Sequence, residues 1–119
     1  MPDLKQSSCV PCRGGIPPLT EAEITELKPQ APLWQVSAES GVPHLRREFS
    51  FRNFREALVF ALEVGLLAEH EDHHPDLHVA WGKVVVETWT HKIKGLHTND
   101  FILAAKTDEI YAGRRGATT

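Results

Sequence analysis

The stretch from Glu69 to Asp100, EHEDHHPDLHVAWGKVVVETWTHKIKGLHTND, holds six of the chain's seven histidines: His70, His73, His74, His78, His91 and His97. Imidazole changes charge closest to neutral pH, and here it is interleaved with Glu69, Asp72, Asp76 and Asp100, so the residue types point to proton transfer or to metal ligation. Three readings compete. The run His70-Glu71-Asp72-His73-His74 contains H-E-x-x-H, which in zinc proteases sets two ligands one helical turn apart with a catalytic glutamate between them. Pro75 follows the second histidine at once and truncates the helix that would have to hold both, and the extended form with a glycine and a third histidine is absent. A second reading treats the histidines as polar residues at a fraying helix end. Six of them within 28 positions, mixed with carboxylates, weigh against it. The third is a metal-free acid/base pocket. Glu69 precedes His73 by four residues and can orient its imidazole, His74 points to a different side, Pro75 fixes where the chain leaves, and His91 and Asp100 can converge on the same mouth. Imidazoles grouped in this way donate and accept protons near neutrality, which suits elimination or addition of water.

Residues so far apart in sequence need a scaffold. Thr20-x-x-Glu23 is a capping box opening a short helix to Leu27, which stops before Pro29. Leu33 to Val36 reads as a short strand and Ser37 to Pro43 as a turn. Leu45, Arg47, Phe49 and Phe51 then alternate with Arg46, Glu48 and Ser50, the period of a half-buried strand. Asn53-x-x-Glu56 caps the longest periodic segment, with Phe54, Leu58, Ala61, Leu62, Gly65, Leu66 and Ala68 spaced three or four apart. Its helix is expected to end near His73 or His74, ahead of Pro75, and Gly65 to mark close packing on a sheet. Leu77 to Trp81 and Lys83 to His91 read as strands joined at Gly82. In the second, Val84, Val86, Thr88 and Thr90 share one side and Val85, Glu87, Trp89 and His91 the other. Thr98 is the expected N-cap of a last helix through Phe101, Ile102, Ala105 and Ile110, with Asp100 in its first turn. The order α-β-β-α-β-β-α describes an α+β fold, a four-stranded antiparallel sheet with helices packed on one face. Its other face and its unpaired edges must be covered or blunted, so self-association as a homodimer or homotetramer is expected. Residues 1–18 read as an irregular arm, 19–113 as the domain and 114–119 as a flexible tail.

At 119 residues the chain is expected to form one domain, since a chain of this size buries roughly two thirds of the surface exposed when unfolded. A net charge of -3 argues against a nucleic-acid footprint, and the basic group Arg46, Arg47, Arg52 and Arg55 reads as a solvated face. No apolar run reaches the roughly 18 residues of a membrane span, and the first residues lack the apolar core of a secretory signal, so the expected location is cytoplasmic. Cys9 and Cys12 form one C-x-x-C pair without the second pair of a structural zinc site, in a Pro- and Gly-rich leader that forbids a regular redox helix. They read as two cysteines of an ordered arm, with a disulfide or a metal shared with another chain as the alternatives.

Glu69-x-x-x-His73-His74-Pro75, then five residues before Trp81, nine before His91 and eight before Asp100, resembles the signature of the pterin-4a-carbinolamine dehydratase family. Leu33-Trp34, Phe49-x-Phe51-x-x-Phe54, Thr90-His91 and Gly95-Leu96-x-x-x-Asp100 are similar to it too, and the likeness runs from about Thr20 to Tyr111. Trp81 stands where the family often has Tyr, and Gly82 where Asn is frequent. The resemblance implies dehydration of 4a-hydroxytetrahydropterin to the quinonoid dihydropterin, recycling the cofactor of aromatic amino-acid hydroxylases. His73, His74 and His91 would be catalytic, His74 and His91 as the proton-transfer pair and His73, oriented by Glu69, as a ring contact. Glu69, Asp100, Pro75 and Trp81 would support the substrate. No metal or other cofactor is implied, the pterin being the substrate. The family also contains dimerisation cofactors of a homeodomain transcription factor and proteins that assist Rubisco assembly, so a non-catalytic assembly role is the alternative, with a hydroxylase or Rubisco as possible protein partner.

Overall fold

The computed structural model describes residues 3–10, 16–38 and 41–118, with side chains described as far as Gly113. The helices are α1 (Glu21–Leu27), α2 (Phe54–Glu71) and α3 (Thr98–Thr118), and the strands are β1 (Gln35–Ser37), β2 (His44–Ser50), β3 (Asp76–Ala80) and β4 (Lys83–Thr88). All four strands are antiparallel in the order β1-β2-β4-β3, so the α-β-β-α-β-β-α order and the four-stranded sheet expected from the sequence are present. The expected flexible tail at 114–119 and the pairing of Cys12 with Cys9 lie outside the described side chains.

Local chemistry sets the boundaries. Thr20 and Glu23 form the reciprocal capping box of α1, and the Asn53 side chain accepts the Glu56 amide at the start of α2. At Gly82 the backbone sits at φ +71°, and the carbonyl of Phe51 would lie 3.0 Å from any Cβ there, so the turn between β3 and β4 has a steric need for glycine. The last helix departs from expectation by one residue at its cap. Nδ1 of His97 accepts the Asn99 amide, and the Asp100 carboxylate reaches back to the His97 amide at 2.9 Å, so His97 rather than Thr98 closes the end of α3.

Leu45, Phe49, Val84, Val86, Phe60, Val64, Phe101 and Ala104 build the core between the sheet and the helices. Trp34 packs into it, with its indole N–H donated to Asp108 at 2.8 Å. Arg47 departs from the solvated face expected of it. It shares the inward side of β2 with Leu45 and Phe49, donates to Asp108 at 2.6 Å and lies 4.4 Å over the Phe49 ring.

Helix α2 carries two apolar stripes, and only one can face the sheet. Ala57, Phe60, Ala61, Val64 and Ala68 are buried, the small alanines allowing close approach. Phe54, Leu58, Leu62 and Leu66, which the sequence pattern grouped with Ala61 and Ala68, are exposed. Gly65 belongs to that outer side. A Cβ there would meet nothing within 4 Å, so the close packing on the sheet expected of it is not found.

Candidate active site

Two chain turns make the site. The first is the end of α2, which stops at Glu71 rather than at His73 or His74 because Asp72 adopts the left-handed conformation (φ 53°, ψ 41°). The His73 amide returns to the Ala68 carbonyl at 3.1 Å, and this reversal sends consecutive histidines to opposite sides. His73 turns inward and is buried, whereas His74 stays exposed. The second turn follows β4. Thr90 and Gly95 exchange backbone hydrogen bonds at 2.8 and 3.4 Å and close a loop whose first residues, His91–Ile93, form one turn of 3-10 helix. His91 was expected at the end of a strand and instead leads this turn, exposed to the surface.

Asp100 ties the two turns together. It is wholly buried and accepts four hydrogen bonds, from Thr88 Oγ1 at 2.6 Å, His73 Nε2 at 2.7 Å, Thr90 Oγ1 at 2.9 Å and the His97 amide at 2.9 Å. Donation from Nε2 leaves Nδ1 of a neutral His73 as the acceptor. The partner expected for His73 was Glu69, four residues earlier on one helix. Because the helix has ended, Glu69 instead pairs with Nε2 of His74, and both groups of that pair are exposed. The same early ending takes His74 off α2 and away from the register with His70 that H-E-x-x-H requires.

His73, His74 and His91 line one cavity of about 380 Å³, together with Asp72, Trp89, Thr90 and Lys92. Pro75 leads from His74 into β3. Trp81, expected beside the substrate, is elsewhere. It occupies the turn at the far end of the β3–β4 hairpin, 73% exposed. Across the five residues of β3 that is roughly 17 Å from the cavity. Burial lowers the pKa of His97, and proximity to His73 adds to this while Asp100 opposes it. With Nδ1 accepting from the Asn99 amide, His97 is held neutral and structural.

Some of the site escaped the sequence reading. Thr88 and Thr90 were legible as polar residues on the side of the last strand shared with Val84 and Val86, and that side is buried, where a hydroxyl needs a partner. Glu71 entered the sequence reading only as the glutamate of H-E-x-x-H and Asn99 not at all, yet the two hold the N-terminal arm against the site. Glu71 accepts the Cys9 amide at 2.8 Å and Lys106 Nζ at 2.6 Å, and the Asn99 side chain both accepts from and donates to the Val10 backbone. Burial and the nearby Glu71 carboxylate push the Cys9 thiol up to about 12, so it is inert as a nucleophile at neutral pH.

Burial pushes the Glu71 carboxyl up, but the Lys106 ammonium and the Cys9 amide outweigh it and hold it below the ordinary carboxylate range. A carboxyl depressed in the folded chain adds stability that is complete above its unfolded pKa and is lost as pH falls through the folded one. Glu71→Gln is therefore expected to flatten the fall in urea midpoint between pH 5 and more acidic buffers, relative to wild type. Superimposable midpoint-against-pH curves would remove Glu71 as the cause.

Residues 17–110 match the family description "Pterin 4 alpha carbinolamine dehydratase". A relative from Chlorobium luteolum, named as a pterin-4-alpha-carbinolamine dehydratase, is 53% identical over 111 residues, covering 93% of this chain and 97% of that one. A relative of the same name from Rubrobacter xylanophilus is 50% identical, covering 92% of this chain and all of that one. The fold is similar to a crystal structure titled transcriptional coactivator/pterin dehydratase from Brucella melitensis, with a TM-score of 0.72 and 33% identity over 79% of this chain and 98% of that one. The family match over residues 17–110 and the relatives at about half identity over nearly the whole length agree, and the chain belongs to the pterin-4a-carbinolamine dehydratase family.

Proposed function

We propose that the protein is a hydro-lyase that dehydrates 4a-hydroxytetrahydropterin to the quinonoid dihydropterin, returning the cofactor of aromatic amino-acid hydroxylases to its cycle. In this elimination the C4a–O bond breaks, N5 loses its proton, a C4a=N5 double bond forms and water departs. It needs one group to protonate the leaving hydroxyl and another to take the N5 proton. The observation that carries the reading is the meeting of His73, His74 and His91, from two separate turns, on one cavity. In this proposal His74 and His91 move the protons, since both are exposed at the cavity and free to exchange with water. His73 contacts the pterin ring and is held by Asp100 instead of Glu69, which supports His74.

A second reading, a non-catalytic assembly or dimerisation factor on the same fold, is favoured by the exposed α2 stripe of Phe54, Leu58, Leu62 and Leu66 and by the coactivator wording of the Brucella structure's title. The same stripe supports a homo-oligomer, because a contiguous apolar face of this kind is commonly an interaction surface. The test is a dehydration assay on the purified wild-type chain, with its mass in solution measured on the same sample. Acceleration of 4a-carbinolamine loss over buffer, from a species heavier than 13.3 kDa, is the expected result. No acceleration would sink the enzyme reading and leave the assembly role, and a mass of one chain would sink the oligomer.

A further inference from the structure

The geometry points to Trp89 as the positioning residue for His91, a role that rests on the dehydratase reading. Leu45 pairs with Thr88 as the last rung of β2 and β4, and His44 and Trp89 lie one residue beyond that rung on their two chains. The His44 imidazole lies on the indole with centroids 3.9 Å apart and planes 11° from parallel. The His91 imidazole lies on it at 4.4 Å and 27°. Two imidazoles that close to one ring would overlap if they shared a face, so the indole is sandwiched between them. His44 is in turn tied through Nδ1 to the Glu87 carboxylate at 3.2 Å. A column runs from Glu87 on β4 through His44 and Trp89 to His91, which is the one imidazole of the column at the cavity.

Two consequences follow from the column. With both faces covered, the indole offers a flat substrate only its edge, so Trp89 is not a stacking platform for the pterin. What it does instead is restrain the His91 imidazole, for which it is the ring partner among the described residues. His91 is exposed and sits at the start of a single 3-10 turn, where side-chain torsions are not fixed by core packing. Stacked aromatic pairs favour one ring plane, and a proton-transfer group must be held in one to reach its target. Trp89 supplies that plane from just past the end of β4, and His44 backs it.

The test compares Trp89→Phe, which keeps a ring face, with Trp89→Leu, which does not, and adds His44→Ala, which strips the backing while leaving the indole. One readout is the proton resonances of the His91 ring in the substrate-free chain, which the indole ring current shifts upfield. The other is kcat and KM for 4a-carbinolamine dehydration. Trp89→Leu is expected to release the His91 resonances toward the free-imidazole position and to lower kcat by about tenfold to a hundredfold with KM little changed, since displacement of a reacting group by about 1 Å costs up to 10²-fold. Trp89→Phe is expected to restore both readouts in large part, and His44→Ala to move both in the direction of Trp89→Leu. His91 resonances unmoved in Trp89→Leu, or moved with kcat unchanged, would overturn the positioning role. A wild-type chain that dehydrates, is disabled by His91→Ala and is indifferent to Trp89→Leu refutes this inference alone. A wild-type chain that does not dehydrate refutes the parent reading, while the resonances still decide whether the indole holds His91.

Discussion

Alanine at His91 or at His74 is expected to lower kcat for 4a-carbinolamine dehydration by about 10²-fold or more, the usual contribution of a positioned general acid or base. Availability of a nitrogen to the substrate and to water separates the three. Of the three histidines at the cavity, His73 has Nε2 committed to the buried Asp100 carboxylate, so that nitrogen does not face the substrate. His74 and His91 sit on opposite turns of the cavity rim, each exposed, with His74 held by a solvent-facing glutamate and His91 by an aromatic ring. A group that must give a proton to a leaving hydroxyl and recover it from water every turnover needs that access. Loss of such a group acts on the transition state, so kcat falls while KM moves little. His73→Ala is expected to raise KM as well, because a ring contact serves ground state and transition state alike. Stability tells the variants apart from unfolding, since both exposed histidines should be replaceable at a cost within about 0.5 kcal/mol. Full activity in both single variants would remove the assigned proton-transfer roles.

The sequence carried the architecture because its signals were local and redundant. Caps at Thr20 and Asn53, the alternation through β2 and β4 and the turn at Gly82 each have a short-range cause, and short-range causes survive tertiary packing. The pairing inside the site did not follow, for one reason: the helix end. Reading Pro75 as the stop leaves Glu69 and His73 on one helix face, while a left-handed Asp72 stops the helix two or three residues sooner and hands Glu69 to His74. Aspartate tolerates that conformation without being required by it, so neither composition nor spacing reveals where it is used. The two stripes of α2 fail to sort for a similar reason. Leu58 and Leu62 fit the helical period as well as Phe60 and Val64 do, and which stripe meets the sheet is decided by the alanines that let the helix come close. The Trp89 column is further from legibility still, since it depends on a cross-strand register that no single strand states.

Removing the Asp100 carboxylate is expected to cost more stability than any other single change at the site. Asp100→Ala leaves Thr88 and Thr90 hydroxyls, the His73 ring N–H and the His97 amide facing a buried space that held their common acceptor. Each buried donor left without a partner costs about 1–3 kcal/mol, and rotation of the two hydroxyls toward other acceptors recovers part, so a net loss of about 3–5 kcal/mol is expected. Against a total of about 5–15 kcal/mol for a domain this is about a fifth or more, read as a large drop in urea midpoint. Asp100→Asn separates shape from charge. It preserves an oxygen for two of the donors and turns an amide N–H₂ toward the others, so its loss should be intermediate. Activity should fall further than stability predicts in both variants even where the chain remains folded, because His73, no longer anchored, lets one wall of the cavity move. The same acceptor also closes the N-terminus of α3 through His97, so helix start, strand end and imidazole are all held by one buried group. A urea midpoint for Asp100→Ala equal to wild type would mean that this group is not the junction on which the two turns depend.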